Sequence, residues 1–244
     1  MRKVFPFLIC AAAALSFQAC KKSSETFQTT AIAEYAPLVP GKYVSYAMDS
    51  LVYYTNFNAS QVTISYQVKY QVDAAITDNL GRPAYRIFRY IRKTPAQPWV
   101  PDATFTGINT GDGYEFIENN YRYIKLKQPI REGFSWKGNT FIDTRSINSE
   151  VKYLDDWDYV YANVDQPAQV GSYSLDSTLT VEHRDDSLNH PITAITNFAD
   201  KTVSREIYAK GIGMVYRYFL HYEYQGVNRT YNGYGVRYTM IDHN

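Results

Sequence analysis

Few side chains in this sequence are of a type and spacing that could do chemistry, and each has a plainer reading beside the chemical one. Gly133-Phe134-Ser135-Trp136-Lys137-Gly138 approaches the G-x-S-x-G elbow that presents a nucleophilic serine, but it is one residue too long and no helix follows it. The histidines, His183, His190, His221 and His243, lack H-E-x-x-H spacing and have no cysteine beside them. His183 with Asp185 and Asp186 could ligate a metal, and a polar turn explains the same three residues. Asp155, Asp156 and Asp158 offer oxygen ligands to calcium without the D-x-D-x-D-G loop, and 109–113 shares that ambiguity. Those acids, with Glu118, are also candidates for a glycan hydrolase, which needs two carboxyl groups roughly 5–10 Å apart in a cleft. No catalytic residue, metal site or cofactor is assigned from these patterns.

Binding chemistry has better candidates. Arg82, Arg86, Arg89, Arg92 and Lys93 form a basic run with no acid in it. On a strand, Arg86, Phe88, Tyr90 and Arg92 share one face, with Arg89 on the other beside Tyr85, Ile87 and Ile91. The first face suits an anionic glycan or a lipid headgroup through cation–π contacts. It equally suits a solvated strand whose long stems cover aromatic rings. The stretch 205–225, expected as one long strand with a tight bend or bulge permitted at Gly211-Ile212-Gly213, carries a second candidate surface. There Met214, Tyr216, Tyr218, Leu220, Tyr222 and Tyr224 alternate with Val215, Arg217, Phe219, His221 and Glu223. Tyr216, Tyr218 and Tyr222 are the ligand candidates on it.

The elements that must position these residues read as strands. The chain has 244 residues, of which 24 are tyrosine, and tyrosine favours strands and partly wet surfaces. Between 61 and 72, Val62, Ile64, Tyr66, Val68, Tyr70 and Val72 alternate with polar residues, the pattern of a half-buried antiparallel strand. It pairs as a long hairpin with 43–57, through a turn at Asn58-Ala59-Ser60. Strands are also expected over 84–93, 114–118, 121–127, 141–153, 158–164, 177–183 and 235–241. Asn119-Asn120 and Asn232-Gly233 read as hairpin turns, 95–101 as a proline-broken loop around Trp99, 133–138 as a loop and 184–189 as a polar turn. The expected fold is all-β: a single domain, 34–244, of long antiparallel strands forming a curved sheet, half-barrel or sandwich. With 25 basic and 24 acidic side chains there is no electrostatic pull toward nucleic acid.

The N-terminus sets the location. Met1-Arg2-Lys3 precedes an apolar run over 4–15 and then Ser16-Phe17-Gln18-Ala19-Cys20, a secretory signal too short to span a membrane. A cysteine directly after a small residue at the end of such a run resembles a bacterial lipoprotein signal. That resemblance implies cleavage after Ala19 and lipidation of Cys20, with acyl chains such as palmitate holding the protein to a membrane. Cys10 leaves with the signal, so no disulfide forms in the mature chain. Residues 20–33 are then the lipidated cysteine and a polar tether.

Four features together carry a further resemblance: Cys20, Tyr35-x-Pro37-Leu38-x-x-Gly41-x-Tyr43, Glu206-x-Tyr208-Ala209-x-Gly211-x-Gly213-x-Val215-Tyr216, and Tyr238-Thr239-x-Ile241-Asp242. The chain resembles a group of Gram-negative outer-membrane lipoproteins. The resemblance implies an envelope location and a curved antiparallel sheet, and it implies no activity. The functional expectation is a noncatalytic, lipid-anchored module that binds apolar cargo, a glycan or an envelope protein. The alternatives are a glycan-active hydrolase and a passive structural lipoprotein. Three Asp-Ser-x sites at Ser50, Ser177 and Ser187 resemble O-glycosylation acceptors.

Overall fold

The computed structural model describes residues 29–53 and 61–244. After a one-turn helix α1 (Ile32–Tyr35) come β1 (Tyr43–Tyr53), β2 (Gln61–Thr77), β3 (Pro83–Arg92), β4 (Val100–Asn109), β5 (Gly113–Glu118) and β6 (Tyr121–Lys127). The second half holds β7 (Ser135–Lys137), β8 (Asp158–Val170), β9 (Tyr173–Leu188), β10 (Ala199–Ala209), β11 (Gly213–Gln225) and β12 (Thr230–His243). All belong to one antiparallel sheet ordered β6-β5-β4-β3-β2-β1-β12-β11-β10-β9-β8-β7, curled into a nearly closed barrel. The fold is all-β and a single domain.

The order is simple because nearly every strand pairs with its successor in sequence. The exception is the pairing of β1 with β12, which joins the two halves. The edges β6 and β7 nearly meet. Ile124 N–H donates to Gly138 O at 2.8 Å, the Trp136 indole donates to Ile124 O at 2.8 Å, and Tyr161 Oη bridges to the backbone of Lys127. Gly138 is needed there, since a Cβ would lie 2.4 Å from the Tyr159 ring.

Several expected elements hold. β1 and β2 form the long hairpin, although Asn58-Ala59-Ser60 lies outside the described residues. Asn119 and Asn120, at φ 52° and 64°, make the β5–β6 turn in the left-handed region that asparagine tolerates. Other elements correct the reading. The 205–225 stretch is two strands, β10 and β11, reversing at Gly211, and a bulge at Val215 turns Met214 off the outward row. Asn232 and Gly233 lie inside β12, and the chain turns before it at 226–229. β4 was hidden because Pro101 sits at a bulge against Arg89 and Tyr90, where the missing N–H is tolerated. β9 runs through the expected polar turn to Leu188, and 133–138 contains β7. The 141–153 segment is not a strand but turns and bends, ending in a 3₁₀ turn at Lys152–Leu154. Packing begins ahead of position 34: Ile32 is buried, and Thr29 Oγ1 accepts the Ile130 N–H at 2.9 Å.

Candidate functional site

Lys125 on β6 meets Glu206 on β10, and Glu118 on β5 meets Arg217 on β11. These strands are far apart in the sheet order, so the contacts cross the inside of the barrel. Lys125 Nζ donates to Glu206 Oε1 at 2.6 Å, and Tyr208 Oη donates to Glu206 Oε2 at 2.7 Å. Arg217 Nη1 donates to Glu118 at 2.9 Å, while its Nε lies 3.6 Å from Glu206. His183 stacks on Tyr159 at 3.9 Å, and its Nδ1 pairs with Ser204 Oγ at 2.8 Å. Its Nε2 lies 3.9 Å from Glu206, beyond a hydrogen bond.

This network neutralises itself. Burial alone would raise the Glu206 carboxyl, but Lys125 foremost, with Arg217, outweighs it and holds the group at about 2. Burial likewise opposes ionisation of Glu118, and Arg217 overcomes it and lowers the carboxyl. Burial takes the His183 imidazole down to about 3. Neither carboxylate carries a proton near neutral pH and the imidazole is uncharged, so none of the three is poised as a general acid.

A cavity of about 100 Å³ lies beside the network, lined by Leu38, Tyr46, Tyr70, Lys125, Glu206 and Arg217 among others. At ~30 Å³ per water it has the size of a few waters. Ligand pockets for larger organic molecules run from about 300 Å³. Rings fill the rest of the interior: Tyr70 stacks on Phe105 at 5.3 Å, and Tyr46 meets Tyr70 edge-on at 5.6 Å.

The outer face is different. Alternation on β2 sends Val68 and Tyr70 inward and Lys69 outward. Lys69 Nζ lies 5.0 Å from the Tyr90 ring centre, 5.4 Å from Trp99 and 5.7 Å from Tyr43. The Arg92 guanidinium stacks on Trp99 at 4.1 Å. Tyr43, Lys69, Arg92 and Trp99, with Ser45, Ile241 and Asp242, line a groove of about 220 Å³ that Tyr90 flanks through Lys69, and there Tyr43 Oη donates to Asp242 at 2.8 Å. Arg86 lies over Phe88 at 5.0 Å, and Phe88 meets Tyr90 edge-on. Arg86, Phe88, Tyr90 and Arg92 therefore do share one exposed face. The run is not without acids, however: Arg86 pairs with Asp73, Arg89 with Asp102, and Arg82 with Asp78 and Glu115.

Tyr216, Tyr218 and Tyr222 also face outward, but not into the same groove. β2, β1 and β12 separate β3 from β11, roughly 19 Å at the usual strand spacing. Tyr216 borders its own depression with Arg205, Arg237 and Asp49. Tyr222, 4% exposed, packs with Leu51 and Leu220. His183 points inward, away from the exposed Asp185 and Asp186. Asp155 and Asp156 line a depression of about 350 Å³ together with Lys137, Arg145, Ile142 and Trp157. Lys137 holds Asp156 and Asp158 at 2.8 and 2.9 Å, and Thr144 donates to Asp155 at 2.6 Å and lowers its carboxyl. Ser135 lies on the exposed side of β7. Of the Asp-Ser serines, Ser187 is exposed, whereas Ser50 and Ser177 are half-buried. Cys20 lies outside the described residues.

Sequence reasoning passed over Lys125, Glu206, Lys69 and Trp99. Neither of the first two stood out in the sequence, because β6 and β10 carry other charged and polar residues, Arg122 and Lys127 on one and Asp200, Lys201 and Arg205 on the other. Comparison with family models, curated proteins and solved structures found no match.

Proposed function

We propose that this protein is a lipid-anchored envelope module, noncatalytic, that uses its barrel as a scaffold and binds on the outer face. One observation carries the reading: the interior is occupied by its own ion pairs and rings, leaving a cavity of about 100 Å³. An apolar-cargo carrier would need a lumen several times larger. The signal-like start and Cys20 support the anchor. The paired, low-titrating acids weigh against the hydrolase alternative, because its general acid needs a raised carboxyl.

The test is native mass spectrometry of the full chain extracted from its own membranes in mild detergent. The expected species is the acylated chain with nothing apolar retained in the barrel, and Cys20→Ser moves the protein out of the membrane fraction. A stoichiometric apolar molecule surviving extraction would restore the cargo reading.

A further inference from the structure

We infer that the groove formed by Tyr43, Lys69, Arg92 and Trp99 binds an acidic saccharide, a sugar ring bearing a carboxylate. The inference rests on the outer-face reading above and names its ligand class. Charge is the first argument. The neighbouring arginines Arg86, Arg89 and Arg237 are each paired with an aspartate. Lys69 and Arg92 make no ion pair among the described residues, yet both lie over the same indole. Two cations sharing one ring repel each other, and an anion between them relieves that repulsion. Arg92 spends Nε on Gln67 and one Nη1 donor on the Pro95 carbonyl, which leaves its Nη2 donors uncommitted. A guanidinium edge beside an ammonium suits a carboxylate.

Shape and polarity supply the second argument. Tyr43 and Trp99 line the groove, and Tyr90 flanks it, with apolar ring surface beside the cations, against which the C–H side of a pyranose can pack. Asp242 and Ser45 line the same groove and offer oxygens to sugar hydroxyls. A volume of about 220 Å³ suits one ring-sized group and is too small for a longer ligand to enter whole. An anionic membrane surface fits less well, since the cations line a groove rather than an open face.

The experiment is a titration of the full chain in detergent with a digalacturonate probe, followed by tryptophan fluorescence. Cellobiose, inorganic phosphate and phosphatidylglycerol vesicles are titrated in parallel. Saturable quenching by digalacturonate is expected. It should weaken about tenfold or more in Lys69→Met and in Arg92→Met, as loss of one charge-assisted contact implies, and Trp99→Ala, which lacks the reporting indole, should abolish the binding heat in calorimetry. Unchanged thermal unfolding of these variants confirms that the fold is intact. Equal binding of cellobiose, with the cation variants unaffected, would overturn the acidic class while leaving an outer sugar site. Preference for vesicles or free phosphate would overturn the saccharide. No saturable response to any probe overturns the groove assignment, and because the mass-spectrometry test does not involve the groove, the outer-face reading stands or falls separately.

Discussion

Lys125 and Lys69 are lysines on strands of one sheet that end in opposite circumstances. Lys125 is buried and bonded to Glu206, inside a network where Arg217 answers Glu118. Lys69 is half-exposed, lies beside three aromatic rings and makes no ion pair among the described residues. Buried charge must be matched, because leaving water costs several kcal/mol per ion. A cation on the surface keeps its hydration and needs no partner. The interior therefore spends its charges on holding the barrel in one arrangement, and the groove keeps its charges free for something else. On the proposed reading, stability and binding fall on opposite faces of one sheet, the ion pairs on β5, β6, β10 and β11 and the groove around β1, β2, β3 and β12.

The strongest way to break that division is to unbalance the interior. Glu206→Gln strands Lys125 as a buried unpaired charge and should cost about 3–5 kcal/mol in urea denaturation. Adding Lys125→Met removes the stranded charge and should restore much of the loss. A double variant no more stable than the single would place the cost in packing instead.

Acid sharpens the contrast less severely. Glu206 titrates at about 2, below its unfolded value, so its contribution is present above the unfolded pKa and is lost as pH falls toward 2. His183 titrates at about 3 and is buried neutral, so the unfolded state takes up its proton first as pH falls below about 6.5. Both shifts make stability decline as pH falls, His183 from about 6.5 and Glu206 from about 4.5, by an amount on the order of a few kcal/mol. His183→Gln should flatten the upper part of that decline, between about 6.5 and 4.5, as read from melting temperature against pH.

The smallest stability effects belong to the groove. Lys69→Met and Arg92→Met remove exposed cations without orphaning an acid, so each should shift unfolding by less than about 0.5 kcal/mol. A loss comparable to that of Glu206→Gln would mean the groove is part of the fold's support.

The strand pattern was legible wherever one face is apolar and the other wet. β2 is the clearest case, and its inward Val68 and Val72 are buried as alternation predicts. Legibility failed where local residue types conflict with what the sheet supplies. Pro101 reads as a breaker, but a bulge absorbs it in β4. Asn232-Gly233 reads as a turn, yet β11 pairs straight through both residues. Only the β3 side of the groove was visible, because Arg92 and the flanking Tyr90 lie on one strand face with Arg86 and Phe88. Lys69, Tyr43 and Trp99 come from β2, β1 and the β3–β4 loop, and only sheet pairing brings them beside Arg92. The interior network was hidden for the same reason: Lys125 and Glu206 are 81 positions apart.

The three tryptophans report directly on the two faces. Trp136 donates its indole N–H to Ile124 O and Trp157 to Tyr153 O, both on buried rings, while Trp99 lies in the groove. Indole N–H resonances of the ¹⁵N-labelled full chain, followed as digalacturonate is added, separate the faces in one spectrum. The account predicts that the Trp99 signal moves to saturation while those of Trp136 and Trp157 stay fixed. Movement at Trp136 with Trp99 unchanged would place the ligand inside the barrel and contradict it.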